Sequence, residues 1–205
     1  AAASAAVFLA YNKDPSETVF HVISASSGTG FATWNFAGFA TSLKLLFVVL
    51  MFVGGMSIST AGGIKVLRLA IFLKSVPRLI QSLLRGKDFG VDFDGKNYSN
   101  RDVAINIMFI LLSIMAVFLG SVALSTGGFS FMDSLFEAAS AFGTTGLSVG
   151  ITSLSLAIQL KWVLILLMLI GRVEIIPFLV SFAKDEDSVA GHEKAGRKLA
   201  RLAHP

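Results

Sequence analysis

An apolar helix of about three turns that stops at Gly143-Thr144-Thr145-Gly146 leaves few folds open to this chain. Residues Ser134 to Ile151 read SLFEAASAFGTTGLSVGI. The helical part is too short to cross a bilayer, which takes roughly 20 apolar residues, and its tip is too polar to face lipid. Residues Thr18 to Phe31, TVFHVISASSGTGF, follow the same plan. At an offset of 116, Phe20 falls on Phe136, Ser24 on Ser140, Ala25 on Ala141, Thr29 on Thr145 and Gly30 on Gly146. Two short helices ending in Thr-Gly loops, each followed by a long apolar stretch, predict a pair of pore loops. The class implied is an ion-conducting membrane protein.

Composition agrees. Hydrophobic residues make up 54% of the chain and charged residues only 15%, with a mean hydropathy of +0.75. A soluble domain carries about 25% charged residues, so a membrane class is favoured before any motif is read. The absence of cysteine excludes disulfides, thiolate metal sites and a cysteine nucleophile. The net charge of +4 is unevenly distributed and does not form a nucleic-acid patch. The opening AAASAAVFLA has neither Met nor a basic region, unlike a natural start or a signal peptide, and is expected to belong to a fragment.

The predicted fold is an all-α polytopic membrane protein of two helix–pore loop–helix, potassium-channel-like repeats, the first truncated at its N-terminus. Residues 1–70 form the first repeat, with a cut outer helix, a pore loop over 18–31 and a broken inner helix over 45–64. Residues 71–101 are a basic linker in which GVDFDGKNYS reads as a hairpin, because Asp94-Gly95 favours a tight turn. Residues 102–183 form the second repeat, with outer helix 103–124, pore loop 134–147 and inner helix 162–182. Asp133 or Ser134 is a candidate cap for its short helix. Residues 184–205 are a tail. A further alignment at an offset of 117 sets Lys44 on Lys161 and Met51-Phe52-Val53-Gly54 on Met168-Leu169-Ile170-Gly171.

Charge sets the orientation. Residues 65–101 carry eight basic side chains, whereas residues 125–160 carry none. The positive-inside rule makes the linker and the tail cytoplasmic and the second segment external. That parity holds only if the second short helix does not cross. The expected location is therefore the cell membrane, with several passes.

The loops suggest the chemistry. A dehydrated cation needs oxygens in place of its water shell, and backbone carbonyls supply them where glycine lets the chain extend and approach closely. A half-helix entering from outside also points its partly negative end at the membrane centre. The carbonyls of Gly28-Thr29-Gly30 and Thr144-Thr145-Gly146 are the candidate ligands. Gly54, Gly55, Ser57, Ser59, Thr60, Gly62 and Gly63 make the second half of the first inner helix poor helix, since each glycine costs about 1 kcal/mol there. That segment is read as a mobile gate, with small-residue helix packing as the alternative. Arg172, at membrane depth, costs about 2.5–3.5 kcal/mol to insert. It is expected to form a positive constriction beneath the loops, or to pair with Glu174 or another acceptor. His21 and Glu137 hold equivalent places on the two short helices and read as packed, hydrogen-bonded groups.

The loops SSGTGF and FGTTGLS, with the spans MFVGGMSISTAGGIKVLR and MLIGRVEIIPF, resemble the Trk/Ktr/HKT superfamily of potassium transporters, closest to its Trk-type membrane subunit. The resemblance covers nearly the whole chain and fits the third and fourth of that family's four repeats. It implies filter glycines at Gly30 and Gly146 and potassium contacts at Gly28, Thr29, Thr144 and Thr145. It also implies an intramembrane gate, an arginine at the place of Arg172, a homodimer of full chains and a cytosolic nucleotide-binding regulatory subunit. No cofactor is expected, and potassium is the substrate. Two of the family's repeats are missing from these residues, so the chain alone cannot close a four-loop filter.

Two other classes compete. An intramembrane serine protease needs converging Ser and His, and Ser57 or Ser59 with His21 can be imagined, but no nucleophile elbow is present. GGIK also lacks the full phosphate-loop pattern. A non-conducting structural subunit, or a half-channel assembling as a dimer, remains the alternative.

Overall fold

The first short helix starts where the sequence permits it to. Pro15 sits at the first helical position, where its missing N–H costs nothing, and opens α1, Pro15–Ser27. The computed structural model describes residues 14–54, 62–85, 91–93, 96–98 and 100–172, and all belong to one compact unit ending at Arg172. The cut outer helix, the tail 184–205, the last span beyond Arg172 and the gate positions Gly55, Ser57, Ser59 and Thr60 lie outside the described residues.

After α1 come a 3-10 turn at Phe36–Gly38, the apolar helix α2, Thr41–Phe52, and a two-residue strand β1, Val53–Gly54. A second short strand, β2, Ile64–Lys65, pairs with β1 in parallel, Val53 opposite Ile64. The expected breakdown of the first inner helix therefore falls at Phe52, just before Gly54. Helix α3, Val66–Arg85, follows. Strands β3, Val91–Phe93, and β4, Lys96–Tyr98, pair antiparallel with Phe93 opposite Lys96, the register of a two-residue hairpin connection.

Helix α4, Asn100–Ser125, contains the one stretch among the described residues long and apolar enough to span a membrane, Val103–Ser125. It is apolar on both faces. Ile110, Val117, Ser121 and Leu124 are buried, while Met108, Leu111, Met115, Phe118 and Val122 are exposed at helical spacing. A helix that is apolar all round and open on one side is built for a lipid neighbour. Helix α5, Phe131–Phe142, and helix α6, Ile158–Arg172, complete the described chain.

The second short helix starts three residues before the sequence reading placed it. Its cap is Ser130, not Asp133 or Ser134. The Ser130 hydroxyl accepts from the Asp133 N–H at 3.2 Å and donates to the Asp133 carboxylate at 2.8 Å. This is a reciprocal cap at the helix's positive end. Helices α1 and α5 have 13 and 12 residues, so each is roughly 20 Å long against a hydrocarbon core of about 30 Å.

The core lies where the two repeats meet. Phe36 is in ring contact with Phe47 at 5.0 Å and with Phe136 of α5 at 5.4 Å, and Phe52 stacks on Phe142 at 5.6 Å. An ion pair joins the repeats across this seam: Lys44 Nζ donates to Asp133 at 2.6 Å and to the Ala37 carbonyl at 2.8 Å. The sequence repeat appears here again, since Lys161 Nζ donates to the Leu154 carbonyl, also seven residues upstream, at 2.7 Å. Asp133 stands in the first turn of α5, outside the span Val103–Ser125. Burial raises its carboxyl pKa, and hydrogen bonds from Lys44 and Ser130 with the charge of Lys44 outweigh that and hold it below the usual carboxylate range.

The pair is lopsided, with the Lys44 side chain 8% exposed and Asp133 29%. Asp133→Ala should therefore destabilise more than Lys44→Met, because it strands the more buried charge. The loss should stay below the roughly 3–5 kcal/mol of breaking a fully buried pair. Thermal unfolding of the two variants in detergent checks the order.

Candidate functional site

The two Thr-Gly loops repeat one another in backbone conformation as well as in sequence. Each short helix ends when a residue turns left-handed: Gly28 at φ 73° after α1 and Thr144 at φ 51° after α5, again 116 residues apart. The hydrogen bonds match. Thr29 N–H donates to the Ser24 carbonyl at 3.0 Å, and Thr145 N–H to the Ser140 carbonyl at 3.0 Å. Gly28 and Thr144 N–H reach Ala25 and Ala141 carbonyls. Both loops then reach a second left-handed glycine, Gly30 at φ 76° and Gly146 at φ 92°. This is a helix C-terminus closed by a left-handed residue, built twice.

Thr144 is the exception worth explaining. A β-branched residue at positive φ is a strained outlier, costing about 1–2 kcal/mol. Its hydroxyl accepts the backbone N–H of Gly62 at 3.1 Å. That contact ties the second loop to the returning end of the glycine-rich segment. A Cβ on Gly62 would stand 2.8 Å from the Thr144 hydroxyl and 2.9 Å from the Phe142 carbonyl oxygen, so only glycine fits there.

The six loop positions come together. A Cβ on Gly30 would lie 1.7 Å from the Thr145 carbonyl oxygen, which means that this carbonyl faces the first loop across a direct backbone contact. Thr29 and Gly146 are exposed, Gly28, Gly30 and Thr144 are half-buried, and Thr145 is buried with its hydroxyl unpartnered. Gly54 closes β1, and Gly63 continues the chain from Gly62 at φ 84°. Arg172 ends the described part of α6 with its side chain exposed. The preceding Gly171 packs so closely on the Phe142 carbonyl that a Cβ would reach 1.8 Å. That puts Arg172 next in the chain to the point where α5 ends.

His21 and Glu137 turn out to hold the loops from behind. His21 is fully buried, and its Nε2 accepts from the Thr33 and Trp34 backbone N–H groups at 3.1 and 3.2 Å. Its Nδ1 therefore carries the proton and donates to the Glu17 carbonyl at 2.7 Å. The ring stacks on Trp34 at 4.0 Å. Glu137, also buried, accepts from the Val149 N–H at 3.1 Å, the Ile151 N–H at 3.3 Å and the Thr152 hydroxyl at 2.8 Å, and from the Ser148 hydroxyl. In both repeats the anchor catches the backbone twelve residues on. One repeat uses a neutral imidazole and the other a carboxylate.

Ser24 and Ser140 add a second tie that sequence reasoning did not assign. Ser140 Oγ accepts from the Gly146 N–H at 3.1 Å, and Ser24 Oγ donates to the Phe31 carbonyl at 2.7 Å. Their coincidence under the 116-residue offset was the available signal. Identity alone does not say which backbone group a hydroxyl will reach.

The repeats differ in what covers them. Phe136 is buried on Phe36, but its counterpart Phe20 is 45% exposed. Met51 is 2% exposed, and its counterpart Met168 is 45%. On the far side of the second repeat, a cavity of about 450 Å³ is lined by Glu137, Ser140, Thr144, Thr152, Leu164 and Met168. Thr152 and Leu164 stand there in the places held by Phe36 and Phe47 in the first repeat.

Short helices ending at paired loops, beside an apolar helix long enough to span a membrane, define a helical membrane fold. The chain belongs to the TrkH family of cation transport proteins, whose family model matches residues 7–191. It is 36% identical to the Ktr system potassium uptake protein B of Bacillus subtilis over 78% of this chain and 35% of that protein. It is 31% identical to an uncharacterized cation transporter of Methanocaldococcus jannaschii, over 82% of this chain and 36% of the relative. The crystal structure of the potassium transporter TrkH from Vibrio parahaemolyticus superposes with a TM-score of 0.71 at 25% identity, over 84% of this chain and 39% of that one. The chain thus spans little more than a third of these relatives.

Proposed function

We propose that this chain carries potassium ions across the cell membrane by gated permeation through a filter of backbone carbonyls. The observation that carries this reading is the duplication of loop geometry. Gly28-Thr29-Gly30 and Thr144-Thr145-Gly146 share their left-handed turns and their backbone hydrogen bonds, and lie in contact. A carbonyl from each loop can then converge on one dehydrated cation, with the C-terminal ends of α1 and α5 adding favourable potential. The names of the relatives, several of them potassium uptake proteins, support potassium as the substrate. Arg172 places a positive charge beneath the second loop that limits dwell in the site.

Two loops make half a ring. The exposed Phe20 face and the cavity beside Met168 are the two ends of the interface seen once, complete, between Phe36 and Phe136. They are the surfaces on which two further repeats of the same protein close the ring. A second copy of this half, supplying the other two loops, is the alternative assembly. The full transporter pairs as a homodimer and is regulated by a cytosolic nucleotide-binding subunit. The linker 71–101 and the tail are cytoplasmic.

Gating belongs to the segment Gly54–Gly63, whose returning end is bonded to Thr144. Replacing it with alanine and leucine should lock flux. Thr144→Val, which keeps the shape and loses the acceptor, should uncouple the gate while leaving the pore open, and Thr144→Ser should retain coupling. Rubidium uptake into liposomes, with potassium and sodium as competitors, tests the whole reading. Uptake should be selective for potassium and vanish or turn sodium-leaky with Gly146→Ser. Unchanged selectivity in that variant would rule the filter out.

A further inference from the structure

Helix α3 leaves the glycine-rich segment at Lys65 and runs for 20 residues, Val66–Arg85. Its apolar side chains fall on one stripe: Val66, Leu69, Leu73 and Val76, with the same spacing continuing through Ile80 and Leu83 in the sequence. On this stripe Val66, Leu73 and Val76 are 47%, 61% and 39% exposed. The opposite side is the buried one, at Ile71 and Ser75. Over residues 66–77 the helix thus buries Ile71 and Ser75 and presents an apolar stripe outward, the reverse of a soluble surface helix.

Arg68 ties the start of this helix to α4. The Arg68 guanidinium lies 4.3 Å from the Phe109 ring and donates to Asn106 Oδ1 at 3.3 Å. Both partners stand on α4, three and six residues into the Val103–Ser125 span, so roughly 5–9 Å inside its cytoplasmic edge. An in-plane helix buries its apolar face about 5–10 Å into the boundary between headgroups and acyl chains, the depth at which Arg68 meets α4. Helix α4 also exposes apolar side chains, at Met108, Leu111 and Met115. The charge is one-signed. From Lys65 to Lys87 the sequence holds Lys65, Arg68, Lys74, Arg78, Arg85 and Lys87 and no acidic residue.

We infer that α3 is an interfacial helix seated in the cytoplasmic leaflet of the bilayer, and that anionic lipid headgroups are its partner. Basic side chains along an in-plane helix recognise a negative lipid surface. Because β2 joins α3 directly to the segment that returns to Thr144, lipid charge reaches the proposed gate through the chain itself. The inference rests on the membrane setting and not on the potassium reading.

The chain has no cysteine, so single labels can be placed cleanly in the full-length transporter. Nitroxides on Leu73→Cys and Val76→Cys, in vesicles of neutral lipid and of neutral lipid mixed with phosphatidylglycerol, report depth independently of flux. Both labels should be reached by dissolved oxygen and shielded from a water-soluble nickel chelate, more strongly in the anionic vesicles. Lys74→Cys should show the reverse. Neutralising Lys74, Arg78 and Arg85 together to Gln should remove the difference between the two lipids. Labels at Leu73 and Val76 open to nickel in both vesicles would overturn the proposal and leave the stripe for a cytosolic protein. Labels closed to both reagents would overturn it by showing a protein contact from another part of the chain.

Discussion

Gly30→Ala is expected to abolish selective potassium uptake, and to do so more severely than Gly146→Ala. A methyl at Gly30 would meet the Thr145 carbonyl oxygen at 1.7 Å and its carbon at 2.7 Å. Both atoms are backbone, so no rotamer change relieves the overlap and one loop must move off the other. The left-handed φ of 76° adds its own cost of about 1–2 kcal/mol. At Gly146 the backbone is equally unfavourable, at φ 92°, but an added Cβ has no neighbour within 4 Å. Only the conformational term remains there. Rubidium uptake with sodium as competitor should show Gly30→Ala inactive or unselective, and Gly146→Ala impaired with residual transport. The opposite order would mean that contact between the loops does not shape the site.

Glu137→Ala should be the most damaging change outside the loops. It strands the buried N–H groups of Val149 and Ile151 and two hydroxyls. Each buried donor left unsatisfied costs about 1–3 kcal/mol, enough to let the irregular segment after Gly146 relax. Glu137→Gln keeps a carbonyl oxygen where three of the donors converge. It should retain transport with potassium still favoured over sodium. A residue in direct contact with the ion would behave differently, because there the loss of charge would hurt in Gln and Ala alike. The equivalent His21→Ala should loosen the first loop through the freed N–H groups of Thr33 and Trp34. Ion selectivity and thermal unfolding, measured on the same three preparations, separate these outcomes.

The duplicated plan was legible because left-handed turns after short helices need unusual residues. Glycine at three of the four left-handed positions, Gly28, Gly30 and Gly146, and a half-length apolar helix before them are both written in the composition of a short window. The breakdown of the inner helix near Gly54 was legible for the same reason. What could not be read was partner choice. His21 and Glu137 align and are chemically unlike, so nothing in the sequence says that both catch a backbone twelve residues later. The cap at Ser130 escaped because Asp133 and Ser134 are equally good capping residues, and the winner depends on where the preceding turn releases the chain. Helix α3 was hidden within a segment read for its charge and for the hairpin that follows, and it carries Pro77, a helix-breaking residue, in its interior. The strain at Thr144 was invisible until Gly62 appeared beside it, since that contact joins residues 82 positions apart.

The central claim is that Gly28, Thr29, Thr144 and Thr145 hold a cation through their backbone carbonyls. Anomalous diffraction from crystals of the full-length transporter grown in rubidium tests it directly. A rubidium peak between the two loops, within coordination distance of those carbonyls and remote from the Glu137 carboxylate, is the predicted result. A peak ligated by side chains elsewhere, or loops that carry none while rubidium occupies another site, would contradict it.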